Sequence, residues 1–548
     1  MIKKITVGLL ILTMVLSFSG CGGKSTGEEI TPITFTFYTE DGREDPWNDP
    51  VALAITEATG VTLETMYPSG QGNDILLMVA TKEYPDLIFA KGDAVTLIDN
   101  DALIDMSDLI DEYGPNIKKL YGDEYDSLRF SKNDPSIYQL CSSRINNISY
   151  ETSGTAQLQW AVIEYNDYKI PKTLDEFADM IREYRKKYAT IDKKQTIGFT
   201  ISVTDWHWYT TLSNPSGYIA NGSVDNGQWI VNDDYSVTYK HAAEGQKEYY
   251  AWLNAMYDEG LLDRDFATQT HEDYIEKIAS GRVLGLLDAE WDYSEAETSL
   301  LAEGMSERTY CGLPVTIDDS VVCPSLAVQG LAVGWGVGIS KSCKDPVRAI
   351  QFLDYLCSDE GQILTHWGIE GVNYFYDENG VRYRTEEEIL ASTTDASYLE
   401  TTGIGFHTYP FPAYGNQAVD ETGNPYTTES IAGIKAAYTE EEKKALEEWN
   451  VDLLTDIFPQ ADEFDEFLYS PLWAKVLPAE IDEEVAILDE ISHESLIECV
   501  ICEPEDFDRL WEDFQQKLIS AGRYATEKKM TDFVQSEVAF RQSLNKED

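Results

Sequence analysis

Basic residues are scarce. Lys and Arg number 41 against 98 Asp and Glu, a formal net charge of −57 over 548 residues. Such a chain is unsuited to the phosphate backbone of a nucleic acid, which is bound by clustered Lys and Arg that displace counterions. Docking on anionic lipid headgroups through a basic face is excluded for the same reason. The charge itself speaks to solubility and names no substrate. Histidine is rarer still, at six, and the six are scattered rather than set at ligand spacing. No His-Glu-x-x-His, Gly-x-Ser-x-Gly or Walker loop occurs. Carboxylate pairs are everywhere in so acidic a chain and do not mark a glycosidase, which holds two carboxyls ~5–9 Å apart across a sugar. Asn232-Asp233-Asp234 and Ile317-Asp318-Asp319-Ser320 read as turns, because the rest of a calcium loop is missing. No catalytic group, metal site or cofactor is therefore expected.

Cysteines number eight. The seven after Cys21 cannot all pair with one another. Cys499-Val500-Ile501-Cys502 lacks the second ligand pair of a zinc site, having only His493 nearby. It reads as buried thiols or a local disulfide. Beyond the first twenty residues no apolar run reaches the ~20 residues a membrane helix needs.

What is present begins with that N-terminal run. Lys3 and Lys4 precede an apolar stretch from Ile5 to Phe18, then Ser19-Gly20-Cys21 and a Gly/Ser/Thr segment. This is the anatomy of a secretory signal peptide. It resembles a bacterial lipobox, which implies that 1–20 is removed, that Cys21 is lipidated (palmitate included), and that 21–31 is a flexible tether. The expected location is the extracytoplasmic face of the cell membrane. The remainder, with 43% hydrophobic and 12% aromatic residues, is a folded chain of two to four domains.

Ile33 to Tyr38 alternates at period two, as a strand does. Asp49-Pro50 opens a helix that Gly60 stops. Val61 to Tyr67, Asn73 to Lys82 and Pro85 to Ala90 follow as strand, helix and buried strand, which predicts an α/β layer with a parallel sheet. Helices are expected at 103–113, 172–188, 245–260 and 345–357, and strands at 195–201 and 281–287. From Glu440 the chain is helix-rich.

Several segments in order are similar to family 1 extracellular solute-binding proteins, the sugar-binding lipoproteins of ABC importers. They are Ile55-Thr56-Glu57-Ala58-Thr59-Gly60-Val61, Tyr84-Pro85-Asp86-Leu87-Ile88, Pro171 to Phe177, Gly336 to Lys341 with Asp345-Pro346, and Glu360-Gly361-Gln362. Trp367-Gly368-Ile369-Glu370-Gly371 resembles the LipO-like branch. The resemblance implies a periplasmic-binding-protein-like α/β fold of two lobes, with a hinge and an interlobe ligand cleft. It implies one lobe from 32–141 and 285–357, and the other from 142–284 and 358–548. It also implies a monomer that captures a carbohydrate, most readily an oligosaccharide, and delivers it to the permease subunits of an ABC importer without turnover. A binder of another solute, such as a peptide, and an exported glycoside hydrolase are the competing readings.

A sugar site needs aromatic faces and hydroxyl-bonding carboxylates. Asp205, Trp206, Trp208 and Tyr209 cluster after one predicted strand. Glu290 and Trp291 follow another. Asp93 ends the third strand, Asp41 and Trp47 follow the first with Glu40, and Trp335 precedes the return strand. These are the expected ligand contacts. His366, Trp367 and Glu370 read as structural, and Tyr409, Phe411 and Tyr414 as a rim.

Overall fold

The computed structural model describes residues 31–544 except 42–43, 70–72, 149, 151–153, 192, 466, 468 and 476. The signal sequence, Cys21 and nearly all of the expected tether lie outside the described residues.

Two sheets organise the chain. Their strands are β1 (Ile33–Thr39), β2 (Val61–Met66), β3 (Leu87–Phe89), β4 (Leu140–Cys141), β5 (Thr155–Gln159), β6 (Ile197–Thr200), β7 (Val283–Asp288), β8 (Tyr310–Leu313) and β9 (Gly336–Ile339). The first sheet has the order β2-β1-β3-β9-β4. β1 runs parallel to β2 and β3, with Tyr38 opposite Met66 and Ile88, and β9 lies antiparallel between β3 and β4. The second sheet has the order β8-β5-β7-β6, with β7 parallel to β6 and antiparallel to β5.

Local sequence explains the elements around the first sheet. Asp49 is the N-cap of the helix Pro50–Thr59, its side chain accepting from the Ala52 amide. Pro50 supplies a preset φ at the first turn. Gly60 closes the helix at φ 71°, a left-handed position where a side chain would be strained. The expected helix at 103–113 begins only at Ser107. Leu103 is instead buried and bridges to Ser340, and the Asp105 carboxylate accepts from the Ser107 and Ile137 amides.

Each sheet has its own core. Phe35, Phe37, Leu87, Phe89, Val337, Ile339 and Phe352 form the first. Leu158, Phe177, Phe199, Leu284 and Leu287 form the second, and it continues through Tyr249 and Tyr250 into Leu496, Phe514 and Val534 of the C-terminal helices. β7 is buried along its whole length, and a Cβ at Gly285 would stand 2.9 Å from the Phe177 ring and 3.0 Å from the Gln157 carbonyl. Seven cysteines are described, all free and all but Cys502 buried.

These cores correct the expected lobe boundaries. Residues 285–313 do not join the first lobe. β7 is apolar on both faces and can be covered only at the centre of the second sheet. Residues 398–426 do not join the second, because Ile404, Phe411, Tyr414 and Tyr426 fill the first core. The Gln362 amide fixes them there, donating to the Leu356 and Pro412 carbonyls and accepting from the Tyr414 amide.

Asp86 clamps the first sheet. Its carboxylate accepts from the Thr36 amide and hydroxyl, both at 2.9 Å, and from the Lys344 amide at 3.0 Å. Burial raises its pKa, but those hydrogen bonds outweigh burial and leave it below the ordinary carboxylate value. A depressed folded pKa gives stability that is present above the unfolded pKa of ~3.9 and is lost as pH falls through the folded value. Asp86→Asn should therefore cost about 1.5–3 kcal/mol at pH 7. In urea melts, the gap from wild type should narrow as pH falls below the ordinary carboxylate range.

Candidate functional site

In open α/β sheets ligands bind beyond the carboxyl ends of parallel strands, where connections leave in opposite directions. β1 and β3 are such neighbours. After β1 come Glu40 and Asp41, and after β3 comes the turn Lys91–Asp93. Lys91 forms an ion pair with Asp41, and its ammonium stands 5.0 Å from the Trp335 ring centre. Burial pushes the Glu40 carboxyl up to about 7, helped by the negative charge of Asp93 and opposed by Lys91. Glu40 Oε2, Asp41 Oδ2 and Trp335 Nε1 are buried polar atoms without a hydrogen-bond partner.

β6 and β7 are the parallel neighbours of the second sheet. After β6 the chain makes a turn with Asp205 at φ 50° and enters wide i→i+5 turns over Tyr209–Ser213. This strained turn leaves Trp206 50% exposed. After β7 the helix Glu290–Ala302 starts at once and leaves Trp291 57% exposed. The two indoles lie 5.9 Å apart with planes only 17° off parallel. Behind Trp206 the rings continue: His207 at 3.8 Å, then His271 stacked 3.6 Å from His207. Asp292 holds His207 through Nδ1 at 3.1 Å.

The two strand-end regions are electrostatic neighbours. Glu40 feels Asp93, Asp93 feels Asp482 at the start of the helix Ala479–Ile501, and Tyr209 feels Asp482. The Tyr209 hydroxyl donates to Asp489 at 3.0 Å, and the Tyr239 hydroxyl donates to it at 2.8 Å. Burial pushes Asp489 up to about 7 despite these bonds. Trp335 meets Trp473 edge to face at 4.8 Å. The result is a series of neighbouring acids that links the two strand-end regions.

Of the ten expected contacts, Asp41, Asp93 and Trp335 gather at the carboxyl ends of β1 and β3, and Asp205, Trp206, Tyr209, Glu290 and Trp291 follow β6 and β7. Two require correction. Trp47 is buried in the first core against His407 and Phe352, its indole donating to the Thr56 hydroxyl. Trp208 is buried and stacks on His493 at 4.9 Å, so its faces are covered by protein. Strand-end placement made both attractive, but a turn directs the adjacent ring inward. Asp482, Asp489 and Trp473 escaped sequence reasoning because they lie more than 260 residues from Trp206 with no local pattern.

The histidines also need correction. Although scattered in sequence, His207, His271 and Asp292 bring three metal-capable atoms within 4.8 Å of one another, as do Asp45, Asp49 and His407. The second group is explained as structure: one Asp49 oxygen caps a helix and the other bonds His407 Nε2 at 2.8 Å.

The family model described as bacterial extracellular solute-binding protein matches residues 51–371. The chain belongs to that family. Lipoprotein LipO of Bacillus subtilis (strain 168) is 22% identical over 224 residues, which is 37% of this chain and 41% of LipO, so less than half of that relative is matched. Among solved structures, the Streptococcus pneumoniae ABC-transporter substrate-binding protein FusA in complex with kestose superposes with a TM-score of 0.66 at 14% identity, over 94% of this chain and all of FusA. The alginate-binding protein AlgQ2, solved without calcium ion, gives 0.65 at 15%, over 92% and 98% of the two chains. These likenesses establish the two-lobed solute-binding fold.

Glu40 supplies a test of the environment after β1. An acid whose folded pKa is raised gives stability that is complete below its unfolded pKa of ~4.3 and is lost as pH rises through the folded value of about 7. Glu40→Gln should flatten the fall of melting temperature between those limits and should change little at pH 4, as read by calorimetry across pH.

Proposed function

We propose that this protein is a lipid-anchored receptor that captures an uncharged or amino-bearing oligosaccharide in the interlobe cleft and passes it to an ABC importer. The observation that carries the reading is the nearly parallel, half-exposed pair Trp206 and Trp291 after the parallel strands β6 and β7. Sugar rings present C–H faces to indoles, and their hydroxyls donate to carboxylates. One lobe comprises about 32–141 with 336–426, and the other about 154–313 with 440–544. The ligand bridges them and favours the closed arrangement by its differential affinity.

The wall chemistry narrows the ligand. Glu40 and Asp41 have Lys91 as a neighbouring cation, while Asp93 and Asp482 add negative charge beside them, so an oligosaccharide of uronates would meet like charge. Neighbours of this fold that bind kestose or alginate illustrate both classes; the carboxyls here favour the first. Binding with lobe closure alters no covalent bond, so the proposed activity is capture without turnover. Delivery to permease subunits, anchoring through Cys21 and a monomeric state belong to the same proposal.

Titration calorimetry against neutral, amino and uronate oligosaccharides and against peptides tests it. A neutral or amino sugar should bind, and Trp206→Ala and Trp291→Ala should each weaken binding by about 1–3 kcal/mol, the scale of stacking a planar ring on an aromatic side chain. Trp208→Ala should instead destabilise the fold by about 3–5 kcal/mol. Affinity for peptides alone, or release of reducing sugar, would overturn the reading. Anchoring is tested apart: Cys21→Ser should move the protein from the detergent to the aqueous phase on Triton X-114 partition.

A further inference from the structure

The rings behind the indole pair form one column. Trp291 lies 5.9 Å from Trp206, Trp206 3.8 Å from His207, and His207 3.6 Å from His271, with planes 17°, 29° and 7° apart. Tyr274 closes the column 5.7 Å behind His271. The two imidazoles meet face to face, so their in-plane nitrogens do not converge on a common point, and the group with Asp292 is a stack rather than a metal site. What it forms is a brace.

The brace joins two connections of the second sheet. Trp206 and His207 are consecutive in the turn after β6, and Trp291 and Asp292 are consecutive in the first turn of the helix after β7. His207 Nδ1 lies 3.1 Å from Asp292 Oδ1. One hydrogen bond between the second members of these pairs therefore sets the register of the first members, the indoles. The far end of the column returns to the same connection. The Tyr274 hydroxyl donates to Asp288 at 2.6 Å, and Asp288 accepts from the Ala289 amide at 2.7 Å. The short run from Asp288 to Asp292 thus holds the stack at its buried end, at its middle and at its exposed end.

Burial separates the members by role. His207 and Asp292 are 8% and 9% exposed, and Tyr274 and Asp288 are wholly buried, whereas the two indoles are about half exposed. A half-exposed tryptophan on a connecting segment ordinarily exchanges among rotamers, and ordering it when a ligand arrives costs affinity. Here one face of Trp206 is already covered by the His207 ring. An apolar side chain at 207 could fill the space beside Trp206, but it could not tie that ring to the connection carrying Trp291. That takes a group with both a flat face and an in-plane donor to a carboxylate. His207 uses both.

We propose that His207 and Asp292 are positioning residues that lock Trp206 and Trp291 into one preformed ledge, so that two separate connections meet a ligand as a single rigid surface. His271 and Tyr274 back the imidazole. The inference rests on the reading that the indole pair seats the ligand, and adds that the seat is built before the ligand arrives.

Fluorine NMR of the full chain, labelled with fluorotryptophan and held in mild detergent without sugar, tests it. Trp206→Phe, Trp291→Phe and Trp160→Phe each delete one signal and so assign the pair and a buried reference. In wild type the Trp206 and Trp291 signals should be as broad as that of Trp160 and displaced from the position of free fluorotryptophan. Asp292→Ala and His207→Ala should narrow both and move them toward the free position, while the Trp160 signal stays. Asp292→Asn, which keeps an acceptor for the imidazole, should retain the wild-type pattern. A role confined to stability would instead lower the melting temperature and leave both indole signals where they are. Narrow signals at the free position in wild type, or signals that neither alanine substitution moves, would overturn the proposal, and the wild-type line widths decide it where a variant does not fold. Failure here leaves the ligand reading standing, because no sugar is present. Peptide-only binding in the calorimetry would remove that reading and leave the ledge.

Discussion

The return of the chain to its first sheet is the constraint on which the architecture rests. β9 inserts between β3 and β4, pairing Val337 with Phe89 on one side and Leu140 on the other. The sheet is incomplete until some two hundred intervening residues have folded as a second body. That body must therefore remain joined to the first by more than one strand of chain. The carboxyl ends of β1 and β3 then lie near the region containing Tyr209, Asp482 and Asp489. A chain that built one sheet after the other, without the return, would have no such obligatory neighbourhood.

Within it, electrostatics and burial work against each other. The walls are rich in acids, and burial lifts Glu40 and Asp489 to about 7. Such carboxyls hold their protons over part of the physiological range and act as both donors and acceptors. Like-charge repulsion that would splay the cleft is moderated by protonation, by Lys91, and by hydroxyl donors such as Tyr209 and Tyr239. The large negative charge of the whole chain is thus not an obstacle at the site, where the acids nearest one another are the ones that ionise least readily.

Most of the first half of the fold was legible in the sequence. Asp49-Pro50 and Gly60 mark a helix through capping and backbone preferences that act within a few residues, and the alternation of Ile33 to Tyr38 turns Phe35 and Phe37 into the first core. The lobe boundaries were less legible. β7 reads equally well as the end of one body or the middle of another, since a strand buried on both faces carries no alternation to orient it. Residues 398–426 return to the first core through Phe411, Tyr414 and Gln362, contacts that no local pattern announces. At the site, exposure after a strand end was readable for Trp206 and Trp291. Trp208, two positions on, shows the limit: a strained turn followed by wide helical turns decides which ring faces out, and that geometry is not written in the residue types. The meeting of His207, His271 and Asp292 depends on three separate elements and is a property of the tertiary structure alone.

The tryptophans carry a last consequence. Of those described, three are exposed, Trp206, Trp291 and Trp473; the first two follow β6 and β7, and the third meets Trp335. The others are wholly or partly enclosed by protein. Indole emission moves to shorter wavelength when water is excluded, so the long-wavelength edge of this protein's natural fluorescence belongs to the site. Under the proposed function, occupancy of the site would be read by an optical signal that requires no label, against a background from the enclosed rings.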